Sequence, residues 1–347
     1  MSAVANDPYT ALQAPDAPFT SNGAPQTPEL EQFLAGAPIF YQPWWLEATA
    51  PGKWDYAVAR IKGNIAGVLP YVRDSCHLGQ LCLGMPPLTQ TLGPWLRESD
   101  AKYNRRLTEQ KEVMFALIDA LPPYARFEQK FHYSITNWLP FYWRQFKQTT
   151  RYTYVLEDLR DPDALWKNFD PDIRWNIRKA QKQVVVRDDL GLDRFLDVCD
   201  LSFARQGIKP PWPRSFVARV TETCRQHNAG KMFFAVDAQE RLHAVLYMIW
   251  TEYAAYYILG GGDPDLRQSG ANCLLLWEAI QFARQVTGTF DFEGSMVEPI
   301  ERFFRLFGAR QKPYFQITGH RNRFIKASFA AGSLAWGWVR RFRVNGR

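Results

Sequence analysis

Between Lys231 and Phe292 the chain sets three apolar runs, a glycine-rich segment, a helix-spaced run and a short apolar run in succession. Segments 231–236 and 242–250 read as strands joined by the turn Asp237-Ala238-Gln239-Glu240, and 253–259 reads as a third. The glycine-rich segment 260–270 leads into a helix over 272–285, and Phe290-Asp291-Phe292 follows as a strand. Hairpin-linked strands followed by a loop, a helix and another strand do not fit a strictly alternating parallel fold. They predict a mixed α/β sheet.

The rest of the chain supplies a strand–helix–strand unit in the first half and the opening elements of the second. Residues 1–36 hold five prolines and few large apolar residues, so a flexible arm is expected. Folded structure is expected from Pro38-Ile39-Phe40. A hairpin spans 56–71 with Gly63-Asn64 as its turn, a helix spans 108–120 and ends at Pro122-Pro123, and a strand spans 127–135. The second half opens with the strand 152–156 and the helix 172–182, which Asp170-Pro171 starts as cap and first residue. Helices over 191–205 and 214–228 precede the strands described above. The expected units are an arm at 1–36, a first domain at 37–150, a second at 151–318 and a tail at 319–347.

Composition excludes several classes. Hydrophobic residues make up 46% and aromatic residues 15%, enough for large cores and too much for a disordered chain. No run of eighteen uncharged apolar residues occurs, and no basic-then-apolar leader opens the chain, so a cytoplasmic location is expected. The cysteines Cys76, Cys82, Cys199, Cys224 and Cys273 show no pairing or zinc spacing, which favours a reducing compartment. The histidines lack HExxH spacing, so no metal is expected. The net charge is +7, and residues 321–347 carry seven Lys or Arg and no acid. The remaining body is nearly neutral, which argues against a general nucleic-acid binder.

Three segments look like sites. In 260–270 the glycines, with Gly262, Arg267, Ser269 and Gly270 leading into Ala271 and Asn272, match an anion cradle at a helix N-terminus. A plain connection between strand and helix is the competing explanation. In 172–182 the residues Arg174, Arg178 and Lys182 share one helix face with Lys179 beside them. They form either a substrate anchor or a solvated surface. In 290–298 the strand period puts Asp291 opposite Phe290 and Phe292, with Glu293 on its side and Ser295 after it. Two carboxylates there suit orientation or deprotonation of an amine, while capping and surface roles explain them equally well.

Together, Ile173 to Lys182, Gly260 to Gly270, Phe290 to Ser295 and Gly308 to Tyr314 resemble the FemAB-like branch of the GNAT superfamily, including BioF2-like proteins. The resemblance implies two tandem GNAT-like acyl-CoA N-acyltransferase domains and transfer of an acyl or aminoacyl group to an amine. It implies acyl-CoA or acetyl-CoA as donor, with Gly262, Arg267, Ser269, Gly270, Ala271 and Asn272 around the donor phosphates. Asn272 stands where the superfamily signature has a small residue. A long helical hairpin arm, which marks relatives using aminoacyl-tRNA, is not found in this sequence. The implied catalytic groups are Glu293 as leading base, Asp291 second, and Tyr256 or Tyr257 as proton donors. Arg174, Arg178, Lys179, Lys182 and Ser295 are the implied substrate contacts.

The expected partner is a small amine acceptor, anionic acceptors included, and tRNA is the one nucleic acid kept in view. The tail sets Trp336 and Trp338 among Arg340, Arg341 and Arg343, which fits either contact with the inner membrane face or packing over the body. A non-catalytic ligand-binding protein on the same scaffold remains a rival.

Overall fold

The computed structural model describes residues 27–320 except 77, 78, 206 and 295. The first half runs α1 (Pro28–Leu34), α2 (Pro43–Thr49), β1 (Trp54–Ile61), β2 (Asn64–Ser75), β3 (Leu81–Gly84), β4 (Trp95–Leu96), α3 (Tyr103–Asp119), β5 (Arg126–Lys130) and α4 (Leu139–Trp143). The second half continues with β6 (Lys147–Leu156), α5 (Pro162–Asn168), α6 (Pro171–Ala180), β7 (Val184–Arg187), α7 (Leu192–Arg205) and α8 (Arg214–Gln226). It closes with β8 (Gly230–Asp237), β9 (Leu242–Trp250), β10 (Ala255–Gly262), α9 (Ala271–Ala283), β11 (Phe290–Asp291), α10 (Glu298–Arg305) and β12 (Arg310–His320).

The strands join in one mixed sheet of order β1-β2-β3-β5-β12-β6-β11-β10-β9-β8-β7, with β4 added on β2. β12, the last strand, wedges between β5 of the first half and β6 of the second, antiparallel to both. The two halves therefore share one sheet across that seam. One face carries a core in which α1, α2 and the early strands pack on α7, α8 and the residues of β8–β10 that face them. The opposite face packs α5, α6, α9 and α10. A third cluster sets α3 against β1, β2 and β5.

Several expectations need correction. The stretch expected as an arm contains α1, because Thr27 caps it and Leu30 and Leu34 are buried in the first core. Glu29 on that helix also accepts from Arg60 and from the Ile65 amide, which pins it to β1 and β2. The tight turn between β1 and β2 is Lys62-Gly63, at φ 51° and 84°, the left-handed pair a two-residue hairpin turn requires. The strand expected over 127–135 stops at Lys130, where β5 ends. Cys76 and Cys82 are disulfide-bonded where β2 and β3 meet, so the expected lack of pairing, and the reducing compartment drawn from it, lose their basis. Cys199, Cys224 and Cys273 are buried and free. The last correction concerns the glycines, since Gly260, Gly261 and Gly262 belong to β10 and not to a loop.

Candidate active site

β10 and β11 are parallel neighbours over two residue pairs only, Ala255 with Phe290 and Tyr256 with Asp291. β10 then continues to Gly262 while β11 ends, so the strands part beyond Asp291. Such a parting beside the carboxyl ends of parallel strands leaves side chains and backbone without strand partners, and ligands commonly enter there.

Register fixes which side chains meet at this point. Tyr256 pairs with Asp291, Asp291 with Val155, Lys312 with Thr153, Tyr314 with Arg151 and Gln316 with Lys130. Paired residues in a sheet share a face, so Lys130, Arg151, Thr153, Asp291 and Tyr256 line one face across the seam. Phe290 and Phe292 point to the opposite core, where they meet at 5.0 Å edge to face.

A hydrogen-bond chain holds Asp291. Gln90 Nε2 donates to Thr153 Oγ1 at 3.0 Å, Thr153 donates to Asp291 Oδ1, and the Glu293 amide donates to the same oxygen at 2.8 Å. Asp291 is fully buried, yet its Oδ2 has no partner, and neither do Glu293 Oε1, Tyr256 OH and the Nε of Arg151. Buried polar atoms are nearly always paired, so this concentration of unpaired ones marks a place where something else must supply partners.

Electrostatics separates the two carboxyls. Burial pushes Asp291 up to about 7 against the opposing help of Thr153, the Glu293 amide and Gln90. Burial raises Glu293 well above the carboxylate range, and the Asp291 charge adds to this while Lys130 opposes it. Near neutral pH, then, Asp291 is poised between forms and Glu293 holds its proton. Burial also lowers Lys130, and the Arg151 charge lowers it further. Tyr256 is raised well above 10 by burial and stays a neutral hydrogen-bond donor. Glu293 sits at φ 57°, and the following Gly294, at φ 31°, presses against β6.

These shifts carry a stability consequence with a definite sign. The folded Asp291 keeps a proton that the unfolded chain releases above about pH 4, so stability is lost as pH rises from about 4 to about 7. Asp291→Asn removes that loss, which is on the order of 2–4 kcal/mol above pH 7. We expect Asp291→Asn to melt higher than wild type at pH 8, with the gain shrinking towards zero at pH 4.5. Thermal unfolding of both proteins across that range checks it, and an equal gain at both ends would refute the cause.

The other predicted residues fall elsewhere. Tyr257 faces away from Asp291, edge-on to Phe304 at 6.0 Å, with its hydroxyl beside Gly260. Ser295 lies outside the described residues. The segment expected as a phosphate cradle forms a short turn, Arg267–Ser269, many of whose amides are already used. The amide of Gly262 donates to Ser202 Oγ at 2.9 Å, that of Ser269 to the Leu266 carbonyl, and that of Ala271 to Ser269 Oγ at 3.3 Å. Asn272 lies over Gly262, and Gly270, at φ 79°, meets the Asn176 carbonyl of α6 so closely that a side chain would collide.

Helix α6 leans on this turn, and it does so through Lys179, whose ammonium donates to the Gln268 carbonyl at 2.6 Å. Arg178 lies over the Trp166 ring. No contact places Arg174 or Lys182 beside Asp291 or Glu293 among the described residues. Sequence reasoning missed Gln90, Lys130, Arg151 and Thr153. Period two along β5 and β6 does put Lys130 opposite Phe127 and Phe131, and Thr153 opposite Tyr154. It says nothing of their meeting. Among the described residues no group of His, Cys, Asp and Glu converges as a metal site.

Residues 167–295 match the family described as an acetyltransferase (GNAT) domain. No curated protein matches the chain significantly. Among solved structures it is similar to FemX, with a TM-score of 0.65 at 13% identity, covering 83% of this chain and 96% of that one. It is also similar to the C-terminal domain of a putative lysylphosphatidylglycerol synthetase from Agrobacterium fabrum, with a TM-score of 0.53 at 9% identity over 88% and 95% of the two chains. A tandem GNAT protein from the clavulanic acid biosynthesis pathway gives a TM-score of 0.50 at 10% identity over 85% and 94%. At such identities the likeness is one of fold.

Proposed function

We propose that this chain, a FemAB-like protein with a GNAT domain over residues 167–295, transfers an acyl group from an activated ester or thioester to an amine at the Asp291–Glu293 pair. The observation that carries this is the pair of buried, unpartnered carboxyl oxygens, Asp291 Oδ2 and Glu293 Oε1, at the point where β10 and β11 separate. Asp291, poised near neutrality, takes the amine proton as nitrogen attacks the acyl carbon. This exchanges the base role first expected of Glu293. Glu293, holding its proton, supplies it to the departing sulfur or oxygen as the old bond breaks. The Tyr256 hydroxyl donates to the developing oxyanion. One C–N bond forms, one C–S or C–O bond breaks, and the proton count balances.

For the donor, acyl-CoA is the first reading, because the GNAT domain spans the turn before α9. Aminoacyl-tRNA ester is the second, favoured by the amides of Gly262, Ser269 and Ala271 already being used within the protein. Pyrophosphate binding needs such amides pointing outward. Arg267→Ala separates the two readings. With an acyl-CoA donor the apparent KM should rise about tenfold or more with kcat little changed, as loss of a phosphate contact predicts. An unchanged KM for acyl-CoA together with transfer from charged tRNA would select the ester donor.

A further inference from the structure

Two cations sit beside the carboxyl pair with no acid to neutralise them. Register places Lys130 of β5 and Arg151 of β6 on the face that carries Asp291 and Tyr256. Both are only partly exposed. Among the described residues no carboxylate forms an ion pair with either one. Arg151 donates through one terminal nitrogen to Gln316 Oε1 at 3.2 Å, while its Nε is buried without a partner. The acids of the neighbouring strands are committed elsewhere. Glu128 pairs with Arg126 and accepts from Gln316, and Glu157, just after β6, pairs with Lys312.

Glu293 does not act as the missing counter-charge, since it holds its proton near neutral pH. The Arg151 charge disfavours that of Lys130, and burial adds to the cost. An anion held between two such cations relieves both effects, through hydrogen bonds that are stronger for being charged. The cations also lie on the first-half side of Asp291. In sheet order β5, β12 and β6 come before β11, whereas β10 and the turn that leads into α9 lie on the other side. A donor placed at that turn leaves the cations to the acceptor.

We propose that Lys130 and Arg151 bind an anionic group, carboxylate or phosphate, carried by the amine acceptor itself. The acceptor class is then an amine with a negative charge close to its nitrogen, because Lys130 is near enough to Glu293 for their charges to act on one another. The assignment to an acceptor rests on the acyl-transfer reading of the Asp291–Glu293 pair, whereas anion binding can be measured without it.

The test is binding by the full chain without donor, followed by transfer. Calorimetric titration and thermal unfolding would compare glycine with glycinamide, to report a carboxylate, and O-phosphoethanolamine with ethanolamine, to report a phosphate. The anionic member of at least one pair should bind about tenfold or more tightly than its neutral twin. Lys130→Met and Arg151→Gln should each remove most of that advantage. Without ligand, Lys130→Met should melt no lower than wild type, since it removes one of two repelling charges; a lysine needed only for folding would make it melt lower. Binding by none of the four compounds, equal binding within both pairs, or an advantage that survives both substitutions overturns the proposal. The two readings fail separately. Anion preference with no label transferred counts against the transfer reading alone, and transfer to glycinamide and ethanolamine as fast as to their anionic twins counts against the anion site alone.

Discussion

Asp291→Asn should lower the rate of acyl transfer by about 10²–10⁴-fold, the range for a positioned general base, while leaving the protein folded. The substitution keeps the shape of the side chain and the acceptor oxygen that Thr153 and the Glu293 amide bond. It replaces the unpartnered Oδ2 with an amide that accepts no proton. The wild-type rate should fall as pH drops below about 7, where Asp291 becomes protonated. That limb should be missing from whatever rate the variant retains. A variant that lost activity but kept the same limb would show Asp291 to be a support for another base. Steady-state rates from pH 5.5 to 9 distinguish these outcomes.

Gly294→Ala should cost stability on the order of 3 kcal/mol and disable the site along with it. A Cβ at this position would lie 2.3 Å from both the Thr153 Cα and the Tyr152 carbonyl, which are backbone atoms of β6 and cannot turn aside. The residue also lies at φ 31°, where a side chain adds strain of its own. The same displacement would move Glu293, already held at φ 57°, away from Asp291. Gly288→Ala is the matched control, because nothing lies within 4 Å of its added methyl. Denaturant midpoints should fall clearly for the first variant and by less than about 1 kcal/mol equivalent for the second. Equal midpoints would show that β6 yields easily at this point.

What could be read in the sequence and what could not follows the range of the interactions. Asp170-Pro171 is a local signal, and α6 starts where it says, with the Asp170 carboxylate accepting from the Asp172 amide. The alternation Phe290-Asp291-Phe292 is equally local, and Asp291 does face away from both rings. The glycines misled because glycine weakens a strand, yet at Gly260 and Gly261 a side chain would strike the Val245 carbonyl or the backbone of α7. Close packing, invisible in one dimension, is what keeps β10 running to Gly262. The insertion of β12 between β5 and β6 had no local mark. Nor did the arrival of Gln90, from a Gly- and Pro-rich stretch, at Thr153, 63 residues on. A site assembled at a seam between halves draws on contacts that no single segment announces.

The central claim, acyl transfer to an amine at Asp291 and Glu293, is tested most directly by label transfer under saturating donor. Radiolabelled acetyl-CoA and aminoacyl-tRNA would each be offered with a panel of amino sugars, amine-bearing peptides and amino lipids, to the wild type and to Asp291→Asn and Glu293→Gln. The account predicts that label moves to an amine from one donor class in the wild type, and that Asp291→Asn, verified as folded, loses at least about a hundredfold. Transfer undiminished in both variants, or a folded wild type that moves label from neither donor to any amine, would contradict it.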